Sequence, residues 1–415
     1  DNAAIQWQPD GESGGSRWFN IKETAVEAGT NKIVTAIATA VNNSMLVRPA
    51  TVTLKNKIVD GGDLKVVIAP VYAAPTLKLE GTPAPTQNAI TAANATASTL
   101  KLYRVANSQI KIKATAIGGS TITDAAGVTV TGGNTYNTEN VYTVVLNNGA
   151  TAGSFKIINK SDPTKIQTVT VQAPVTFNTA PAASKNLDVI ASRYVDNSAN
   201  FPEGFTVSVN WNGATANWFT LNKTDFTGGN QSIRATMKNQ SGMSIKAATV
   251  TLKNKIQGGE DKTYTITPVF QAPALSYANG NVPTQNSMSG NTINLYQVTS
   301  SRVQVKASVL GGSYVKSKSS NITVSGGNNN NTDNTYTVTW VSGGDGWFDI
   351  ANKHDANKTA TRITVKALAT TITSSDVSLN VIENNTANIN INTPLDATVS
   401  IVNWNGSGTW FKLVS

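Results

Sequence analysis

Phe205-Thr-Val-Ser-Val-Asn-Trp-Asn-Gly213, with the segment after it, Ala214-Thr-Ala-Asn-Trp218-Phe219-Thr-Leu221, decides how the chain is read. Phe205, Val207, Val209 and Trp211 share one face at a period of two, the spacing of a strand with one buried side. Asn212-Gly213 is a turn dipeptide and Trp218-Phe219 opens a second apolar run, so the stretch is expected to form a β-hairpin. Variants recur at Ile5-Gln-Trp7 with Trp18-Phe19-Asn-Ile21, at Tyr336-Thr-Val-Thr-Trp340 with Trp347-Phe348-Asp-Ile350, and at Val402-Asn-Trp404 with Trp410-Phe411-Lys-Leu413. A worn copy runs from Tyr142-Thr-Val-Val-Leu146 to Ser154-Phe155-Lys-Ile157. All eight tryptophans of the chain lie in these copies.

The copies belong to a longer internal repeat. Ala50-Thr-Val-Thr-Leu-Lys-Asn-Lys-Ile58 returns as Ala248-Thr-Val-Thr-Leu-Lys-Asn-Lys-Ile256, and Pro85-Thr-Gln-Asn88 returns as Pro283-Thr-Gln-Asn286, both at an offset of 198 residues. Ile117-Gly-Gly-Ser120 matches Leu310-Gly-Gly-Ser313 at an offset of 193. The unit itself divides in two. Ala74-Pro75, Ala173-Pro174 and Ala272-Pro273 each follow a strand-like run, with prolines 99 residues apart. Proline cannot donate to a β ladder and suits the exit of a terminal strand into a linker.

The order is therefore A, B, A, B, A, with segments 1–75, 76–174, 175–273, 274–370 and 371–415. The first A segment lacks opening strands and the last stops just after its Trp-Phe step. Three explanations stand: the sequence is a fragment, its remainder is left out, or the ends are completed by a neighbouring chain through strand donation. The first is preferred.

Composition points the same way. A chain of 415 residues exceeds a single core, and 39% hydrophobic content with 14% charged residues excludes a charge-driven disordered chain. Strands of four to eight residues, spaced about ten apart and separated by turns such as Gly118-Gly-Ser, Gly132-Gly-Asn and Gly343-Gly-Asp, alternate clearly at Ile110-Lys-Ile-Lys-Ala-Thr-Ala116. The expected fold is all-β: tandem immunoglobulin-like antiparallel β-sandwiches in an elongated array. With no cysteine, the chain has no disulfide, thiolate nucleophile or cysteine-based zinc site. The net charge of +9 comes from scattered lysines, read as a solvated basic surface or as attraction to an acidic partner. No arrangement of stacking aromatics and basic patches favours nucleic acid, and no apolar run is long enough to span a membrane.

The central A segment has a further grammar: Asn210-Trp-Asn-Gly213, Trp218-Phe219, Gly228-Gly-Asn230, Ile233-Arg-Ala-Thr-Met237, Asn239, the basic residue Lys246, and Tyr264-Thr-Ile-Thr-Pro-Val-Phe-Gln271. It resembles the BACON domain, an immunoglobulin-like module common in proteins of Bacteroidetes and their phages. The first A segment matches from Trp18 onward, with Asn42 and Arg48 in the asparagine and basic slots; the last matches through its opening motif only. The B segments keep the aromatic motif and lose the asparagine-to-basic stretch, as a divergent immunoglobulin-like module. The resemblance implies surface-exposed, non-catalytic modules appended to carbohydrate-active proteins or virion components, with glycan or mucin attachment suggested for the family.

Few residues are candidates for chemistry. His354, the single histidine, holds the place that Ser161 takes in the other B segment, and is expected to be a loop residue. Asp345 and Asp349 flank one turn as a weak candidate cation site, and no nucleophile elbow, phosphate loop or paired catalytic carboxylates stand out. No cofactor is called for. The tryptophans divide by parity. Trp7, Trp211, Trp340 and Trp404 share the face of their strands' aliphatics and are expected in the core. Trp18, Trp218, Trp347 and Trp410 have opposite parity to Phe19, Phe219, Phe348 and Phe411, and are expected to point outward. They either stack on sugar rings or cover a sandwich end or domain junction.

The functional expectation is a non-enzymatic stalk, fibre or decoration, extracellular, on a bacterial cell surface or virion. The alternative is a glycan- or mucin-binding adhesion module using those tryptophans against a host-surface polysaccharide. A third reading is a polymer subunit joined by strand exchange to itself or to other surface or virion proteins.

Overall fold

The computed structural model describes the backbone of residues 3–9 and residues 18–393, leaving out positions 24, 28, 39–46, 216, 381 and 383. Asn42, Trp404 and Trp410 lie outside the described residues, and only the backbone of Trp7 is described. The described chain is all-β, a tandem array of immunoglobulin-like sandwiches.

Within 175–273, one sheet orders Ser184–Asp188, Lys262–Val269, Ala248–Asn254, Phe205–Asn210 and Asp225–Phe226. The other orders Tyr194–Phe201, Gly229–Met237 and Phe219–Leu221. Their inner faces bury Leu187, Phe201, Phe205, Ile233, Val250, Leu252 and Ile266 in one core. The segment 76–174 has sheets of four and five strands around Leu100, Ile112, Tyr142, Val144, Phe155 and Val171. The segment 274–370 has sheets of four and six strands around Leu295, Val305, Tyr336, Val338, Phe348 and Val365. Alternation produces these cores directly: every second residue of Gln109–Thr115 is buried. The first segment keeps a smaller core of Phe19, Ala50 and Val52. In the last, Thr373–Ser374 pairs with Ile391–Asn392.

The founding motif is not a hairpin. Phe205–Asn210 pairs with Ala248–Asn254 and Asp225–Phe226, whereas Phe219–Leu221 pairs with Gly229–Met237 in the opposite sheet. The same division separates Glu139–Leu146 from Ala152–Asn159, and Asp333–Trp340 from Gly346–Asn352. The motif is an arch that carries the chain from one sheet over the core to the other. Alternation says which face of a strand is buried; it does not say which neighbour completes its hydrogen bonds. Asn212 and Gly213 do take the left-handed conformations of a turn, with φ of 49° and 76°. The Asn212 side chain, however, donates to Ala247 O at 2.9 Å, anchoring the turn to the strand beside it. The two arms then meet across the core, with the Trp211 and Phe219 rings 4.7 Å apart.

Not every pair is antiparallel. Ser184–Asp188 runs parallel to the closing strand Lys262–Val269, Ala97–Lys101 to Ile166–Gln172, and Thr292–Tyr296 to Ile363–Leu368. In 175–273 the first strand and the last run the same way, so the chain arrives at one end of the sandwich and leaves at the other.

Contacts bridge the first three boundaries. Asn159 Nδ2 donates to Ala73 O at 3.1 Å, across the first. At the second, Tyr103 OH donates to Glu203 Oε1 at 2.7 Å and Lys101 pairs with the same carboxylate at 3.5 Å. At the third, Asn352 Nδ2 donates to Gln271 O at 3.0 Å, Gly242 N to Asn330 O at 3.1 Å and Thr332 N to Ser241 Oγ at 3.0 Å.

Candidate functional site

The tryptophans of the Trp-Phe step do not form one class. Trp218 is fully buried (0% exposed) within the core of 175–273, contrary to the outward placement expected from parity. The reason is local. Its strand begins at Phe219, so Trp218 precedes the ladder and is not bound by strand alternation. Its ring meets Phe219 edge-on at 4.8 Å, and its Nε1 donates to Lys246 O at 2.9 Å. Trp18 repeats the geometry: 4.8 Å from Phe19, with Nε1 donating to Arg48 O at 2.7 Å. In the first two A segments the indole therefore ties the Trp-Phe step to the backbone of the basic slot. A polar tip satisfied in this way lets an indole sit inside a core.

Trp347 differs because its strand, Gly346–Asn352, begins at the residue before it and includes it in the ladder. It points outward and is half-buried, under the Arg362 guanidinium, 3.7 Å from the ring centroid. Arg362 is held in place by Asp349, to which Nε and Nη2 donate at 3.0 and 2.8 Å. These bonds and that of Ser317 Oγ, at 2.8 Å, hold the Asp349 carboxyl below its ordinary range despite burial. Asp345 accepts from Lys366 Nζ at 2.5 Å and from Ala367 N at 3.0 Å, bonds that lower its pKa as well. The two carboxylates thus go to separate basic partners, and the described residues contain no group of three or more His, Asp or Glu placed to hold a metal. Of the first tryptophans, Trp211 and Trp340 are partly buried and packed against their cores.

His354 was expected only as a loop residue. It stacks on Phe270 of the preceding segment, with ring centroids 5.5 Å apart, beside Gly311. Burial pushes its pKa down, assisted by the charges of Lys353 and Lys246, while the backbone at Met243 and Gly311 opposes the shift. Its Nε2 is buried without a hydrogen-bond partner. Leu310, next to it in the fold, joins the core of 175–273 across the boundary. The sequence signal was the serine-to-histidine difference between repeats; what it lacked was the pairing of this loop with a residue 84 positions earlier.

No family model and no curated protein matches the chain. Among solved structures it is similar to three-domain fragments of titin, I67–I69, at 11% identity over 72% of this chain and 99% of that one, with a TM-score of 0.35. It is also similar to invasin, a bacterial integrin-binding protein, at 10% identity over 91% of this chain and 74% of that one, TM-score 0.30. Sidekick-1 immunoglobulin domains 1–5 match at 10% identity over 88% and 74%, TM-score 0.23. No helix among the described residues is long and apolar enough to cross a membrane.

Proposed function

We infer that the chain is a non-enzymatic structural array, a stalk, fibre or decoration that holds something away from a bacterial cell surface or a virion. The observation that carries this reading is the parallel pairing of Ser184–Asp188 with Lys262–Val269, which sends the chain out at the end opposite its arrival. Successive sandwiches with that topology add length, and the bonds at Glu203, Asn352 and Gly242 fix each to the next. The resemblance of the A segments to the BACON domain fits an extracellular module of this kind. The tryptophans lend little to a glycan-binding reading, since Trp218 has no accessible face and an arginine covers Trp347. Small-angle scattering tests the array. A compact globule of this length has a radius of gyration of about 22 Å. The array predicts a value at least about one and a half times that, and a radius near the compact figure refutes it.

A further inference from the structure

The junction between 175–273 and 274–370 has an imidazole for a wedge. His354, just after the strand Gly346–Asn352, stacks on Phe270 of the preceding sandwich, with ring centroids 5.5 Å apart and planes 21° from parallel. Against it lies Gly311, where an added Cβ would stand 2.9 Å from the imidazole Cδ2 and 3.5 Å from Ile245 Cδ1. Glycine, here at φ +85°, is what lets the ring and the Ile245 side chain come this close to the backbone. Leu310, 7% exposed, belongs to the core of 175–273. The two sandwiches thus meet through a continued core with a titratable ring set into it.

Nothing around the ring is arranged to welcome a charge. Its Nε2 is buried without a hydrogen-bond partner. The runs 239–245, 269–273, 309–313 and 328–332 that meet at this boundary carry no charged residue. Lys246 from the preceding sandwich and Lys353 from the ring's own loop both act against protonation, the backbone at Met243 and Gly311 favours it, and burial prevails. The acid next in sequence, Asp355, accepts from Asn357 N at 3.0 Å and is not among the groups that act on the ring. Water reaches a proton on Nε2 only when the sandwiches part. Apolar packing opposes parting, together with three uncharged hydrogen bonds: Asn352 to Gln271, Gly242 to Asn330 and Thr332 to Ser241.

We propose that this junction is an acid-released hinge, closed while the His354 ring is neutral and opening about the linker Gln271-Ala-Pro273 once the ring is charged, each sandwich staying folded. Histidine changes charge between about pH 5 and 8, and a proton that binds the open form better than the closed one shifts the population toward it. At the matching position the first A-to-B junction has Ser161, which has no such proton to take up. The array reading gives the junction one fixed geometry; the hinge adds a second, and it is read at this junction alone rather than from the overall length.

The experiment measures distances between two spin labels on the full chain. The chain has no cysteine, so Thr227→Cys and Ser325→Cys, at exposed positions of the two sandwiches, label without background. Double electron–electron resonance is recorded from about pH 7.5 to about pH 5, with His354 in place and with His354→Phe, which keeps a ring on Phe270 and cannot be charged. With His354, the distance distribution is expected to become at least about twofold broader in acid; with His354→Phe it should not change with pH. Near-ultraviolet circular dichroism, which reads the packing of buried Trp218, should stay constant and so tell opening from unfolding. A distribution that does not change with pH, an equal change in His354→Phe, or loss of the near-ultraviolet signal along with the change overturns the proposal.

Discussion

Segments 175–273 and 274–370 are built on the same arch, yet they treat its second tryptophan in opposite ways. In the first, the strand starts after the indole and Trp218 turns into the core, with its nitrogen satisfied by Lys246 O. In the second, the strand starts before it, the ladder fixes its direction outward, and Arg362 with Asp349 covers the exposed face. Two residues of strand length separate a core anchor from a surface lid. A shared Trp-Phe dipeptide therefore identifies the arch without stating what its tryptophan does.

The sharpest break in that comparison comes from removing each indole. Trp218→Ala should cost about 3–5 kcal/mol, because a fully buried ring is lost and the Lys246 carbonyl is left without its donor. Trp347→Ala should cost about 1 kcal/mol, the scale of an exposed cation–π contact with some lost packing. Denaturant unfolding of the two full-length variants separates them. Equal losses would show that Trp347 is also a core residue and would collapse the distinction.

Much of this architecture was legible from the residues, for definite reasons. Period-two alternation gave the buried faces at Ile110, Ile112 and Ala114 and at Val303, Val305 and Ala307, since strand geometry leaves no other option within a ladder. The repeated words also had content. Asn56 and Asn254, in the repeated Leu-Lys-Asn-Lys, accept from the backbone of Ile58 and Ile256 and shape the turns that follow. Three things were not legible. The arch resembled a hairpin because hydrogen-bond partners distant in sequence leave no trace in a local pattern. Trp218 was misplaced because parity was extended one residue beyond the strand. Tertiary pairing alone brought Phe270 to His354.

A smaller effect probes the B segment at a polar rather than an aromatic point. Asn286, the last residue of the repeated Pro-Thr-Gln-Asn, is buried. Its Nδ2 donates to Val282 O at 2.8 Å, Ser301 Oγ at 3.0 Å and Arg302 O at 3.1 Å, and its Oδ1 accepts from Tyr296 N at 2.9 Å. Asn88 makes the same bonds in 76–174, to Ala84 O, Ser108 Oγ and Gln109 O, with Tyr103 N donating to it. Asn286→Ala should destabilise 274–370 by about 2–3 kcal/mol, through partners left buried and unpaired. In differential scanning calorimetry the transition of 274–370 should move down while that of 175–273 stays in place. Coincident shifts of both would mean that the two segments unfold as one unit.

The smallest effect lies where the two segments meet. His354 titrates with a depressed pKa in the folded chain, chiefly through burial against Phe270, and the nearby lysines 246 and 353 push the same way. An unfolded histidine titrates near about 6.5. Between that value and the lower folded one, the unfolded state binds more protons than the folded state, so stability rises with pH across the window. The junction is thus at full strength above the unfolded value and loses stability as pH falls below it, until the folded imidazole also takes its proton. The first junction, with Ser161, has no such group. Thermal unfolding of the full chain between pH 7.5 and 5, compared with His354→Gln, isolates the term from the carboxylates: the wild type should lose more stability than the variant over this interval. Identical pH dependence in the two proteins would mean that His354 is solvated, and that this junction is held by Phe270 and Leu310 without it.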